Sequence, residues 1–392
     1  MKRQKLAILG ASYLQRPLVE KANAMGIESH VFAWSEGNVV EDIATSYYPI
    51  SILEKEAILA KCNDIGIDGI TSIGSDIAMP TVSYVANALG LVGNSLKATL
   101  ISTNKFEMRK ALFEANIPCP RFCLFETAEY EDQIDLQFPV IVKPTDRSGS
   151  RGVTKVGSAD EVNAAISKAL DNSLGNQAIV EEFIVGREFS VEMISFDGIH
   201  YPLIVTDKVT TGAPHFVEIE HHQPADIPRN INDKIFAVVK DSLDALHIHS
   251  GASHSEVLLT SNGDIRVVEI AGRMGGELIG SDMVELSTGY DFVKGVIEVA
   301  LGSFETVEYK DFKNGYSGVY YVTPTPGTIA EIKDHSSSFE YVVKAMPIFR
   351  VGDTISDVLD GAGKRAGVFV YSHPNRRIFF DPDKVLTFNM IS

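Results

Sequence analysis

The sequence predicts a multidomain α/β and α+β protein, with a Rossmann-like α/β domain over residues 1–102, a larger domain over 103–310 and a small β-rich domain over 311–392. Three observations carry this reading. At 392 residues the chain has room for two to four domains of roughly 100 to 200 residues each. Its first hundred residues alternate short apolar runs with segments of helical period, the rhythm of βαβ units and a parallel sheet. Its tail is rich in β-branched residues and punctuated by Pro324, Pro326 and Gly327.

Taken in order, Leu6 to Leu9 is a buried strand, Leu14, Leu18, Ala22 and Met25 share one helical face, and His30 to Trp34 is a second strand. Ile58, Cys62 and Ile65 mark a helix, Gly69 to Ile73 a strand, and Val82, Val85, Ala86 and Leu89 a further helix. Gly10 stands where a dinucleotide-binding turn would begin, but the sequence supplies neither the second nor the third glycine, and a dehydrogenase loses its main support. Met108, Ala111, Leu112 and Ala115 give another helix, Phe138 to Lys143 a strand, and Val162, Ala165, Ile166 and Ala169 a helix. Strands follow at Ala178 to Phe183, Arg187 to Phe196 and Ile199 to Val205, the last two turning at Asp197-Gly198. A helix on Ile235, Val238, Val239, Ser242 and Leu246 precedes a hairpin from Ser253 to Ala271 around Asn262-Gly263.

With 45% hydrophobic and 22% charged residues the chain can bury large cores. Its net charge of −17 repels polyanions, which argues against nucleic acid and acidic membrane surfaces, whereas a small anion such as a nucleotide needs only a few local cations. Cys62, Cys119 and Cys123 imply no disulfide framework, and a reducing cytoplasm fits best. The apolar run after Met1 is too short for a signal peptide, and no stretch of about 20 apolar residues can span a membrane.

The chemistry concentrates in three places. If Asn262 and Gly263 are the two turn residues of the hairpin, Glu256 and Glu269 face each other across the ladder, with Cβ atoms roughly 5 Å apart. Like charges so opposed call for a cation, and hard oxygen ligands suit Mg²⁺; a slipped register, which sends one Glu to solvent, is the structural alternative. His247, His249 and His254 are too irregularly spaced for a zinc cluster and read as surface or hydrogen-bonded core residues. Second, the loop Ser148-Gly149-Ser150-Arg151-Gly152 follows a strand ending in Lys143. Its main-chain N–H groups and hydroxyls can wrap phosphate oxygens while Lys143 supplies charge, although such loops also serve as plain strand connections. Third, Glu181-Glu182-Phe183-Ile184 and Glu188 place acids and main-chain groups at a strand junction, where they can hold an adenine amino group and ribose hydroxyls, or face solvent.

Lys105, Lys143 with its Gly/Ser loop, Glu181 to Glu188, Glu256 and Glu269-Ile270-Ala271-Gly272-Arg273, in this order, resemble the ATP-grasp superfamily of carboxylate-amine ligases over essentially the whole chain. Pro214-His215-Phe216-Val217-Glu218 with His221, and Arg273-Met274-Gly275-Gly276, resemble more narrowly the L-amino acid ligase branch, which forms dipeptides. The resemblance implies an ATP-grasp fold with a lid at about 125–182. ATP would be bound by Lys105, Lys143, Glu181, Ile184 and Glu188, Mg²⁺ (with Mn²⁺ as an alternative) by Glu256 and Glu269, and substrate by Glu218, His221, Arg273 and Gly276. Arg273, His221 and Lys143 would be catalytic, with Arg273 gripping the carboxylate and acyl phosphate and His221 relaying a proton from the amine. The partners implied are ATP and small carboxylates and amines, chiefly amino acids, with a homo-oligomer left open. Ala271 departs from the Asn that many ATP-grasp proteins carry there, so a third protein ligand for a second Mg²⁺ is not implied. A purine-pathway or carboxyphosphate-forming ligase, and a nucleotide-binding regulator without turnover, are the alternatives.

Overall fold

Four short strands open the chain as a parallel sheet: β1 (Lys5–Leu9), β2 (Glu28–Phe32), β3 (Ser46–Tyr48) and β4 (Gly69–Thr71), in the order β3-β2-β1-β4. The computed structural model describes residues 3–129, 136–149, 151–212, 217–355 and 362–391. Leu6 to Leu9 are all fully buried, as a strand covered on both faces requires. Helices α1 (Arg16–Ala24), α2 (Lys55–Ile65) and α3 (Met79–Leu89) cover the sheet, and α2 and α3 both end on a glycine in the left-handed region, Gly66 and Gly90. The strand expected over His30 to Trp34 lies two residues earlier, because its ladder runs from Lys5 opposite Glu28 to Leu9 opposite Phe32; Ala33 and Trp34 fall beyond it.

Residues 105–182 supply α4 (Lys105–Glu114), α5 (Val162–Asn172) and a four-stranded antiparallel sheet of β5 (Phe122–Phe125), β6 (Val140–Pro144), β7 (Thr154–Val156) and β8 (Ala178–Glu182), ordered β5-β8-β6-β7. Val162, Ala165, Ile166 and Ala169 of α5 pack onto Val140, Val142 and Val180 of this sheet.

The largest sheet joins β9 (Arg187–Phe196), β10 (Ile199–Thr210), β11 (Glu218–Gln223), β12 (Gly251–Leu259), β13 (Ile265–Ala271), β14 (Tyr316–Val322), β16 (Val342–Pro347) and β18 (Gly367–His373). Its order is β13-β12-β9-β10-β11-β14-β18-β16, so it runs without a break across position 310. The remaining strands, β15 (Gly327–Asp334), β17 (Thr354–Ile355) and β19 (Leu386–Ile391), form a separate three-stranded sheet. Strict alternation along β9 sets the two faces of the large sheet. Phe189, Val191 and Met193 pack with Ile235, Val239 and Leu243 of helix α6 (Arg229–Ala245), while Glu188, Ser190 and Glu192 point the other way. That polar face is the floor of the cleft described below.

The two hairpins turn differently. Asp197 and Gly198 both have positive φ and close a two-residue turn, with Phe196 opposite Ile199. At the second hairpin the expectation of a two-residue turn is corrected: Leu259 faces Ile265, Thr260 N bonds to Asp264 O at 2.9 Å, and Gly263 (φ 83) sits in the left-handed position of a three-residue loop. A β-bulge that leaves Val268 unpaired then shifts the register back, and Glu256 faces Glu269 after all.

Candidate active site

The polar face of the large sheet, the small sheet and the carboxyl edge of the parallel sheet enclose a cleft of about 760 Å³. At its floor Glu256 and Glu269 face each other, and the repulsion between them is relieved by amines. Lys105 Nζ donates to Glu269 Oε1 at 2.9 Å, and Lys208 Nζ donates to Glu256 Oε1 at 2.6 Å. Lys208 also meets Glu188 Oε1 at 2.7 Å and Glu218 Oε1 at 3.4 Å. Burial works against its charge, but these three carboxylates hold its pKa well above the usual lysine range. Burial likewise opposes the Glu256 anion, yet Lys208 and His254 keep its carboxyl well below its ordinary value. His254 Nδ1 bonds to Glu192, which is fully buried, and although burial disfavours the imidazolium, Glu192 and Glu256 raise its pKa to about 9.

Local structure explains how Lys105 reaches this floor. Asn104 caps α4 by accepting from the N–H groups of Phe106 and Glu107, which starts the helix on Lys105 and fixes its direction. One turn later, Arg109 lies on the same face and meets Glu181 Oε1 at 2.7 Å. Ile141 is paired with Glu181 across β6 and β8, so Lys143, two residues along, shares that face, and its Nζ lies 2.6 Å from Glu181 Oε2. Burial lowers the Lys143 pKa despite Glu181; burial would raise that of Glu181, but Arg109 and Lys143 hold it below its ordinary value. Residues 183–186 link the two sheets, and Phe183, Ile184 and Val185 line the cleft there. Gly186 is required at this link, since a Cβ would lie 2.7 Å from the Leu259 carbonyl oxygen.

At the other end stands Arg273, whose Nε and Nη2 donate to the two oxygens of Asp76, both at 2.8 Å. Next to it Glu277 and Leu278 both adopt positive φ, 59 and 64, a costly backbone for side-chain-bearing residues. Glu277 accepts from Arg365, lies 3.0 Å from His221 Nε2, and gives its carbonyl to the Tyr321 hydroxyl at 3.0 Å. Arg365 stacks over the Tyr321 ring at 3.8 Å.

Of the residues expected from sequence, Lys105, Lys143, Ser148, Gly149, Glu181, Glu182, Phe183, Ile184, Glu188, Glu218, His221, Glu256, Glu269, Arg273 and Gly276 all line this one cleft. Gly152 does not; it packs behind the loop, where a Cβ would meet Pro144 and Asn172. Ser150 and residues 214–216 lie outside the described residues. Glu218 and His221 would face opposite ways on a regular strand, but a β-bulge leaves Ile219 unpaired and sets both on the cleft face. His221 is buried in the cleft wall, with its Nε2 3.0 Å from Glu277 Oε2. His247 and His249 are exposed, as expected. Sequence reasoning missed Lys208, Asp76, Glu192, Glu277 and Arg365. Lys208 and Glu192 were open to discovery, because the β9 alternation puts Glu192 on the face of Glu188 and continuing the β10 alternation past Val205 puts Lys208 there too; Asp76, Glu277 and Arg365 meet only through the fold.

Two carboxylates facing each other on a polar floor fit Mg²⁺, which takes its remaining ligands from phosphate oxygens and water. Among the described residues no group of three or more His, Cys, Asp or Glu is arranged to hold a metal ion by itself, so a metal here would depend on its partner's oxygens.

Residues 136–282 match the family description of an ATP-grasp domain. The chain is 24% identical over 263 residues to the alanine–anticapsin ligase of Bacillus subtilis, an overlap covering 59% of this chain and 55% of that protein. It thus spans little more than half the length of the first curated relatives it matches. The L-amino acid ligase from Bacillus licheniformis superposes with a TM-score of 0.82 at 25% identity, covering 96% of this chain and 95% of that one. Phosphoribosylglycinamide synthetase from Anaerococcus prevotii gives 0.79 at 20% identity with full coverage of both, which shows the shared fold alone. No helix among the described residues is long and apolar enough to cross a membrane.

Proposed function

We propose that the protein is an ATP-dependent carboxylate-amine ligase that joins amino acids through an acyl phosphate. The observation that carries this reading is that Arg273, a fork for a carboxylate, opens on the same cleft as the facing Glu256 and Glu269 with their lysines. The adenosine moiety would lie along residues 181–188 between the two sheets, and its phosphates would run over Lys143 and Lys105 toward the floor. Mg²⁺ held by Glu256 and Glu269 would neutralise phosphate charge. A substrate carboxylate oxygen attacks the γ-phosphorus and ADP leaves; the amine nitrogen then attacks the acyl carbon, phosphate leaves, and the amine gives up a proton. Lys105, Lys143 and Lys208 stabilise the migrating charge from fixed positions, and Arg273 holds the carboxylate and then the acyl phosphate. His221 acts by fixing Glu277, and Glu218, whose pKa burial raises despite Lys208, is the carboxylate on this wall best placed to take the proton. The small sheet of β5 to β8 would act as a lid, and the three free thiols suit the reducing cytoplasm. The test is ADP formation across a panel of amino acid pairs, with product masses. The double variant Glu256→Gln/Glu269→Gln is expected to remain folded and lose turnover by at least a factor on the order of 10³. Undiminished turnover in it would remove the metal assignment, and nucleotide binding without turnover in the wild type would mark a regulator.

A further inference from the structure

Glu192 lies on the polar face of β9, fully buried and outside the lining of the cleft, and its two oxygens serve the two halves of the proposed site. It stands opposite His254 across the β9–β12 ladder, and its Oε1 accepts from His254 Nδ1. Its Oε2 accepts from the Gly275 N–H at 3.1 Å, two residues past Arg273. An ionised carboxylate can only accept, so Nδ1 carries a proton and the orientation of the imidazole is set from that side. The far ring nitrogen, Nε2, then lies 3.8 Å from Glu256 Oε1. Lys208 Nζ meets the same oxygen at 2.6 Å, and among the described residues no hydrogen bond or ion pair reaches Glu256 Oε2.

Stability gives little reason for a buried acid here, since a well-packed apolar pair of similar volume serves a fold as well or better. Position is what the pair supplies. The imidazole is rigid and planar, so a bond at Nδ1 fixes where Nε2 points, and hydrogen-bonded partners behind a ligating carboxylate tune its hold on a metal. We propose that Glu192 and His254 are positioning residues: through them one buried carboxylate keeps Glu256 turned with Oε1 occupied and Oε2 left for the divalent cation, and the same carboxylate fixes the segment that carries Arg273. This rests on the ligase reading and adds to it a physical link between the metal half and the carboxylate half of the site.

Two substitutions separate the two ends of the link. His254→Asn keeps an N–H near the place of Nδ1, and so the bond to Glu192, but loses the reach to Glu256. Glu192→Met fills the space and accepts neither bond. The measurements are the Kd of Mn²⁺ for the protein–ATP complex by electron paramagnetic resonance, the Kd of ATP without metal, and the KM of the carboxylate substrate for ADP formation with the best amino acid pair of the panel. His254→Asn is expected to weaken Mn²⁺ on the order of tenfold while leaving the carboxylate KM within about twofold, whereas Glu192→Met is expected to worsen both on the order of tenfold. Metal-free ATP binding is expected to stay within about twofold of wild type in each variant. Should Glu192→Met not fold, Glu192→Gln, with one acceptor oxygen for two donors, is expected to move at least one of the two constants by a similar factor. Wild-type Mn²⁺ affinity in His254→Asn overturns the assignment, as does a Glu192 variant that melts lower with both constants unchanged, or a fall of metal-free ATP binding in step with the rest; each leaves the ligase reading standing. If wild type yields no ADP from any pair and gains no Mn²⁺ affinity with ATP, the ligase reading itself fails, and the assignment falls with it.

Discussion

Glu277 holds a backbone conformation that side chains avoid, and what holds it there is charge. Arg365 and His221 take its two oxygens, and although burial would raise its pKa, Arg365 and His221 bring it well below the ordinary 4.5. A carboxyl whose folded pKa is depressed contributes stability that is fully present above its unfolded pKa and is lost as pH falls toward the folded one. Glu277→Gln leaves Arg365 buried beside a neutral amide, and at pH 7 it is expected to cost about 3–5 kcal/mol. Thermal unfolding checks the sign: the gap in Tm between wild type and Glu277→Gln is expected to be widest near pH 7 and to shrink as pH drops from about 4.5 toward 3. A gap that stays constant with pH would show that packing, not the ion pairs, holds Glu277 in place.

Among elements, the segment that follows β13 holds a glycine with a steric reason, Gly275. A Cβ on Gly275 would lie 2.8 Å from both Glu192 Oε1 and His254 Nδ1, and the Gly275 N–H donates to Glu192 Oε2 at 3.1 Å. Gly275→Ala is therefore expected to push the Glu192–His254 pair off its bond, lowering stability by about 1–3 kcal/mol and ADP formation more than tenfold. Circular dichroism melts and kinetics together check this, and a variant that melts and turns over like wild type would show that the segment yields. At this scale the sequence was legible wherever its periodicity was strong. The alternation from Glu188 to Met193 marked both faces of β9, and the carboxylate pair at 256 and 269 was found, although its register depends on a three-residue loop and a bulge whose displacements cancel. Bulges leave no composition signature, yet the spacing of Glu218 and His221 carried a hint: two strand residues three apart reach one side only if one residue between them is extra. Asp76 with Arg273, 197 positions apart, and Glu277 with Arg365 had no such hint, because their contacts are made by domains meeting and not by local pattern.

For the molecule as a whole, β5 to β8 form a small sheet with its own core, joined to the large sheet through residues 183–186, and the cleft lies where the two meet. Bound nucleotide is expected to slow amide exchange by at least about tenfold in the segments around Lys143 to Gly149 and Phe183 to Gly186, leaving β1 and β2 unchanged; equal exchange with and without ATP and Mg²⁺ would mean that the small sheet does not close. The ionic pairing of the cleft has one more consequence. Lys105, Lys143, Lys208, Arg273 and Arg365 each already hold a carboxylate of this chain. Under the proposed function, entry of a triphosphate would therefore be a change of partners at these groups, and a stray anion that cannot engage several of them at once would gain little by displacing one carboxylate. Under that function, a cavity wired in this way would be quiet toward the sulfate, phosphate and polyanions of its surroundings and would favour a ligand long enough to engage several of these pairs at once.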